Sequence, residues 1–110
     1  MNSKLPPPTH TNDESHLKNS NGGQTTIKIL DEIIHRQRGY KNKAIYLQLM
    51  RLKNDGGKEK TEMRLCYYIN INGRRGRKKD RWVFGRNALI IPKSDFEMII
   101  SEAKKREWIT

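Results

Sequence analysis

Between Thr61 and Ile71 apolar and polar side chains alternate with a period of two. Met63, Leu65, Tyr67, Ile69 and Ile71 share one side of an extended chain, and Glu62, Arg64, Cys66, Tyr68 and Asn70 share the other. A helix would scatter these apolar residues around its circumference. A strand, whose successive side chains point to opposite faces, collects them. One apolar face and one mixed face describe an antiparallel sheet that is packed on one side and wet on the other. Such a strand needs hydrogen-bonded neighbours and a cover for its apolar face, and the rest of the chain must supply them.

The neighbours are legible. Ala44 to Lys53 is a run of strand formers, and Asn54-Asp55-Gly56-Gly57 is a turn that returns the chain antiparallel. Arg81 to Gly85 reads as a third, shorter strand, with room to extend through Ala88 to Ile91.

For the cover, Thr26 to Arg38 reads as a helix. Ile27, Leu30, Ile33 and Ile34 lie at helical spacing, Thr25 or Thr26 can cap the start, and Gly39 is placed to stop it. Asp31 and Glu32 come early and His35, Arg36 and Arg38 late, which suits the helix dipole. A second helix is expected from Asp95 to Glu107 beyond Pro92. Ser94 and Glu97 form a capping box there, and Phe96, Ile99, Ile100 and Ala103 fall on one side.

The expected fold class is therefore α+β with the order α-β-β-β-α. Its three-stranded antiparallel meander carries two helices packed on one face and leaves the other face open. Residues 1–24 hold few large apolar side chains beyond Met1, Leu5 and Leu17 and are rich in Asn, Ser, Thr, Pro and Gly. They read as a disordered, dispensable N-terminal tail before a single domain at 25–110. In a chain of 110 residues, a domain this size has one thin core and little room for a deep substrate cavity.

Charge bears most directly on function. Lys and Arg number 23 against 12 Asp and Glu, a formal net charge of +11. Such a chain repels itself and attracts polyanions, so nucleic acid is the expected partner and an acidic protein the alternative. Lone Cys66 excludes an internal disulfide. The polar N-terminus has no signal-peptide apolar core, and no run approaches the roughly 18–20 apolar residues a membrane span needs. An intracellular place, cytoplasmic or nucleoid-associated, and no membrane partner are expected.

The charge is concentrated. From Asn72 to Arg86 stand Arg74, Arg75, Arg77, Lys78, Lys79, Arg81 and Arg86 against one acid, Asp80, a net of +6. Arginine's planar donor fork suits phosphate oxygens, and Gly73 and Gly76 let the backbone approach a partner closely. The plainer reading is a solvated hairpin tip. Phosphate contacts of this kind position a protein without reading sequence. The expected open sheet face adds Tyr46, Arg64 and Tyr68, an aromatic and basic set suited to stacking on unpaired bases. The plainer reading there is a cross-strand Tyr46–Tyr68 pair. Trp82 and Phe84 share a face of the third strand and read as core.

Catalytic and metal sites are not expected. His35 reads as a helix-end residue, and His10 and His16 sit in the tail. One Cys and three scattered His give no zinc-ligand spacing, and neither a Walker A sequence nor GxGxxG occurs. No cofactor is implied. The element order resembles that of double-stranded-RNA-binding domains across residues 26–109. Those domains carry a lysine cluster at the start of the last helix, where this chain has Ser94-Asp95-Phe96-Glu97. The three-stranded sheet also resembles DNA-binding domains of the AP2 type. Both resemblances imply nucleic-acid binding and neither transfers a residue. The expectation is a small, non-catalytic nucleic-acid-binding protein, or alternatively a protein-interaction module that docks its basic loop or a sheet edge on an acidic partner.

Overall fold

A computed structural model of the chain describes residues 6–71 and 81–110. The strands are β1 (Glu14–Lys18), β2 (Gln24–Arg36), β3 (Lys43–Asn54), β4 (Glu59–Asn70) and β5 (Trp82–Phe84), and the helix is α1 (Lys93–Lys105). The strands form one antiparallel sheet in the order β1-β2-β3-β4-β5. The expected α-β-β-β-α order is thus overturned: five strands and one helix replace three strands and two helices. The likeness to double-stranded-RNA-binding and AP2-type domains, which rested on that order, goes with it.

The segment expected to be the first helix is β2. Its sequence carries two periodicities at once, because Ile27 and Ile29 also alternate and are buried on one face, and Ile33 is buried in the other core cluster. Thr25, Thr26, Ile27, Ile29, Ile33 and Ile34 are β-branched. Such side chains are stiff in a helix and pack well on a pleated sheet, so β-branching decides between the two patterns.

The segment expected to be a disordered tail supplies β1. Its register runs from Lys18 opposite Gln24 to Glu14 opposite Lys28. The Asn21-Gly22-Gly23 signal is the turn between them. The Asn19 N–H donates to Gly23 O at 2.6 Å, and Gly22 takes φ +89°, a conformation glycine adopts without strain. Every β1 residue is exposed, so this strand is marked by backbone pairing and by the His16–Thr26 side-chain contact at 3.1 Å, not by burial.

β3 and β4 coincide with the two strands read from sequence. Their turn is closed by Asn54 N–H donating to Lys58 O at 3.1 Å, with Gly57 at φ +80°.

The chain forms two compact units. One comprises the described residues of Met1–Pro8, Ile33–Leu47 and Leu65–Thr110. Its main core joins Ile33, Ile45, Leu47 and Tyr67 to Ile99 and Ala103 of α1, flanked by Leu89, Ile91, Trp108 and Ile109. A smaller cluster holds Ala44, Tyr46 and Cys66, with Tyr68 and Trp82 against it. The sheet is therefore buried on both sides here, and the expected open face is covered. Tyr46 is 0% exposed, and its hydroxyl donates to Pro8 O at 2.6 Å.

The other unit comprises Thr9–Glu32 and Gln48–Arg64, around Ile27, Ile29, Met50 and Leu52. Ile29 packs with Met50, while Glu32 bonds Gln48, which shares Met50's parity on β3. The face of β2 therefore shifts by one residue between Ile29 and Glu32, where the Glu32 N–H turns to the Asp31 side chain at 2.9 Å. This is the signature of a β-bulge.

α1 begins at Lys93, two residues earlier than its capping box requires. Pro92 is the N-cap and makes no side-chain cap bond, so Ser94 does not cap the helix. Proline's fixed φ pre-forms the entry, and the first-turn carboxylate of Asp95 is used elsewhere.

Candidate nucleic-acid interface

β5 is an end strand of the sheet, bonded to β4 with Asn70 opposite Trp82 and Tyr68 opposite Phe84. Past Asn70 the ladder gains one more bond, from Ile71 N–H to Arg81 O at 2.9 Å. The residues between these two, 72–80, lie outside the described residues. Arg74, Arg75, Arg77, Lys78 and Lys79 fall among them, so the structure describes only the two ends of the basic run.

At those ends lies a groove lined by Ile71, Arg81, Trp82, Val83, Phe84 and Arg86. Two of the sequence-named cations, Arg81 and Arg86, are brought together there with two aromatic rings. Phe84 is 47% exposed despite its place among the large apolar residues. Its ring is held from within: Tyr46 and Tyr68 pack at 4.7 Å between centroids, and Tyr68 meets Phe84 edge to face at 5.5 Å. Such contacts orient rings more sharply than apolar burial alone. Trp82 is half-buried, and the Arg36 guanidinium sits 5.7 Å from its ring centroid, within cation–π range. Among the described residues the Trp82 indole N–H has no acceptor.

The remaining sequence-named residues that the structure describes are not among those that line this groove. Tyr46 is core, and Tyr68 lies half-buried between it and Phe84. The Tyr46–Tyr68 contact is the cross-strand pair that the plainer reading anticipated. Arg64 belongs to the other unit, where its Nε donates to Gln48 Oε1 at 2.9 Å. Gln48 Nε2 in turn donates to Glu32 Oε2 at 2.8 Å. Glu32 Oε1 accepts from the His10 N–H at 2.6 Å and from the hydroxyls of Thr9 and Thr11 at 3.0 and 3.2 Å. This relay satisfies a buried carboxylate and fastens residues 9–11 over the sheet.

Three features here escaped the sequence reading. Arg36, assigned to a helix end, is a strand residue that reaches Trp82. Glu32, assigned to a helix's first turn, is the buried hub of the N-terminal contacts. His35 Nε2 bonds Asp95 Oδ1 at 3.0 Å, while Asp95 Oδ2 accepts the Arg38 N–H at 3.0 Å. The hydrogen bond from His35 leads in holding the Asp95 carboxyl below the usual carboxylate range. The Arg38 N–H and the nearby positive charges add to it against the opposing push of burial. With both oxygens engaged, Asp95 acts as a tie between β2 and α1. Lys43 donates to Ile90 O at 3.2 Å and lies over the Tyr67 ring at 4.9 Å, and burial pulls its ammonium below the ordinary lysine value.

Among the described residues no cluster of His, Cys, Asp and Glu could hold a metal, and no helix is long and apolar enough to cross a membrane. Comparison with models of protein families, with curated proteins and with solved structures gives no match to this chain.

Proposed function

We propose that this chain is a small, non-catalytic nucleic-acid-binding protein, whose phosphate contacts come from the basic run 74–81 and from Arg86. One observation carries the reading: Arg81, Trp82, Phe84 and Arg86 line a single groove at the point where that run leaves and rejoins the sheet. Cationic forks beside exposed aromatic surface combine the two chemistries that nucleic acid presents, phosphate and base. The net charge of +11 supplies long-range attraction to the same partner.

The test is a binding panel of single- and double-stranded DNA and RNA across a salt series. Wild type is compared with a variant in which Arg74, Arg75, Arg77, Lys78 and Lys79 are replaced by Ser or Gln. Affinity should fall by orders of magnitude at moderate salt, and the log–log salt slope should shrink by about 0.7–0.9 for each phosphate the variant no longer neutralises. Unchanged affinity and slope would reduce the run to a solvated loop and remove the reading.

A further inference from the structure

We infer that the free edge of β4 pairs with a second copy of this chain, antiparallel and about a two-fold axis at Thr61, to give a homodimer. The inference goes beyond the nucleic-acid reading and does not depend on it.

The edge follows from the backbone hydrogen bonds. At the start of β4 the Asn54 N–H donates to Lys58 O at 3.1 Å, and at its end the Asn70 N–H donates to Asn42 O at 2.7 Å. The two pairs of positions have the same sum, so no extra residue enters either strand between them and the pairing of β3 with β4 runs without a bulge. The even-numbered residues of β4 therefore bond β3, and the odd-numbered ones present N–H and C=O to the other side. The bonds to the β5 side agree, because Tyr67 O accepts the Gly85 N–H and the Ile71 N–H donates to Arg81 O. β5 covers β4 only from Tyr68 to Asn70. Glu59, Thr61 and Met63 are left with outward backbone groups that no strand pairs among the described residues.

Such an edge is a template for another strand, and proteins that do not use one blunt it with proline, a bulge, a short strand, a cover or charge. Glu59–Met63 holds no proline, carries no bulge, lies in a strand of 12 residues and is exposed throughout. Charge is the one device present, and its pattern is complementary to itself.

That complementarity selects both the occupant and the register. In an isologous antiparallel pair each contact occurs twice. With Thr61 on the axis, Lys60 stands opposite Glu62 of the second copy, and Glu62 opposite its Lys60. The backbone bonds then join Thr61 to Thr61 and Glu59 to Met63. An axis at Lys60 or Glu62 would set like charges directly opposite one another, which is unfavourable. An axis at Met63 would call on Arg64, whose Nε is already given to Gln48 Oε1 at 2.9 Å. Lys60 and Glu62 meet each other at 3.5 Å within one copy, with side chains 68% and 51% exposed. Both therefore have room for the opposite charge of a second strand. Met63, 42% exposed, gains the stem of the facing Glu59 beside it. A two-fold pair also closes on itself, whereas β4 of one copy against β1 of the next would leave free edges and grow into a filament.

The experiment is sedimentation equilibrium of the full chain over a concentration series at about 0.15 M salt, where charges more than about 8 Å apart are largely screened. Wild type is compared with Lys60→Glu, with Glu62→Lys, with an equimolar mixture of those two variants, and with Thr61→Pro. Circular dichroism and melting curves check that each variant is folded. Wild type should show a monomer–dimer equilibrium. Lys60→Glu sets carboxylates face to face and Glu62→Lys sets ammonium groups face to face. Each should weaken the dimer by about tenfold or more, because two cross-strand pairs turn from attraction to repulsion. The two substitutions move the net charge in opposite directions, so a response to net charge alone would weaken one dimer and strengthen the other. Mixed, the two variants regain opposite charges at both positions and should form a heterodimer. Thr61→Pro removes an outward N–H, leaves the bonds to β3 in place and should abolish pairing. A wild type that stays monomeric at every concentration would overturn the inference. A dimer indifferent to these substitutions would overturn it as well, by placing the contact on another surface. Growth beyond the dimer, or a mixture that remains monomeric, would overturn the two-fold register.

Discussion

His35 and Asp95, sixty positions apart, meet through a 3.0 Å hydrogen bond that ties the end of β2 to the first turn of α1. The bond explains why a carboxylate only 1% exposed is tolerated in that turn, since both of its oxygens have donors. It also has a pH signature. The folded Asp95 carboxyl releases its proton at lower pH than the unfolded one, so the unfolded state binds more protons in the acid range. Stability from this group is complete above the ordinary aspartate value of about 4 and is lost as pH falls through the lowered folded value. Asp95→Asn should lower stability by about 1–3 kcal/mol at neutral pH, the scale of a hydrogen bond to a charged group. Its unfolding midpoint should also depend less on pH below about 4 than that of wild type. Urea denaturation at several pH values reads both effects, and parallel acid limbs for the two proteins would dismiss the tie.

Gly85 is the close-approach point of the fold. A Cβ there would land within the Tyr67 ring, while Gly85 N–H donates to Tyr67 O at 2.8 Å and Tyr67 OH accepts the Asn87 N–H at 3.1 Å. The chain leaving β5 is thus pressed flat on a buried ring and cannot withdraw. Gly85→Ala should destabilise by about 1–3 kcal/mol or more, as overpacking does. In a Tyr67→Leu background the same substitution should cost less, because the clash has been removed. Additive effects in that double-mutant cycle would show that the two residues do not share the strain.

The N-terminal segment is a working part of the sheet. Deleting residues 1–13 removes the His10 N–H and the hydroxyls of Thr9 and Thr11 from Glu32 Oε1, and Pro8 O from the Tyr46 hydroxyl. Each of these lost hydrogen bonds is worth about 0.5–1.5 kcal/mol, and about 1.5–3 kcal/mol where the carboxylate accepts, so the shortened chain should unfold at clearly lower denaturant. Amide exchange of β2 around Glu32 should accelerate as well. An unchanged midpoint would restore the view that this segment is a dispensable tail.

Much of the central sheet was legible because its signals are local. The alternation at Met63 to Ile71, the Asn54 to Gly57 turn and the apolar positions of α1 each speak through neighbours in sequence. β2 misled because Ile27, Leu30, Ile33 and Ile34 satisfy a helical period, while the strand period of Ile27 and Ile29 is interrupted before Ile33, which is buried in the other cluster. The density of β-branched residues was the signal that separates them. β1 had no signal of burial to give, since Glu14 to Lys18 are all exposed and are held by backbone pairing. The covered face was hidden for a different reason. Its cover is a non-regular segment fastened by the Tyr46 hydroxyl and the Glu32 carboxylate, and no periodicity encodes such bonds. At the candidate interface, Arg81 and Arg86 stood out by charge. The position of Phe84 at an exposed edge could not be told from a core position, because Trp82 and Phe84 share a strand face and differ only in what lies beside them.

Location rather than total charge should govern binding. Arg81 and Arg86 share the groove with Phe84, whereas Arg51 and Lys53 are exposed on β3 in the other unit. Replacing either pair by Gln removes the same formal charge from a protein of net +11. Lys53 stands 3.9 Å from Glu59 in an exposed pair, an interaction worth at most about 1 kcal/mol, so its removal should leave the fold intact. If binding were a diffuse response to net charge, the two double variants would lose affinity equally. If phosphates sit in the groove, Arg81→Gln with Arg86→Gln should reduce the salt slope by about 1.4–1.8, or 0.7–0.9 per phosphate. Arg51→Gln with Lys53→Gln should leave that slope unchanged and lower affinity only slightly through the weaker long-range field. Anisotropy titrations of one labelled homopolymer over a salt series measure both quantities, and coincident lines for the two variants would leave the groove with no special part in binding.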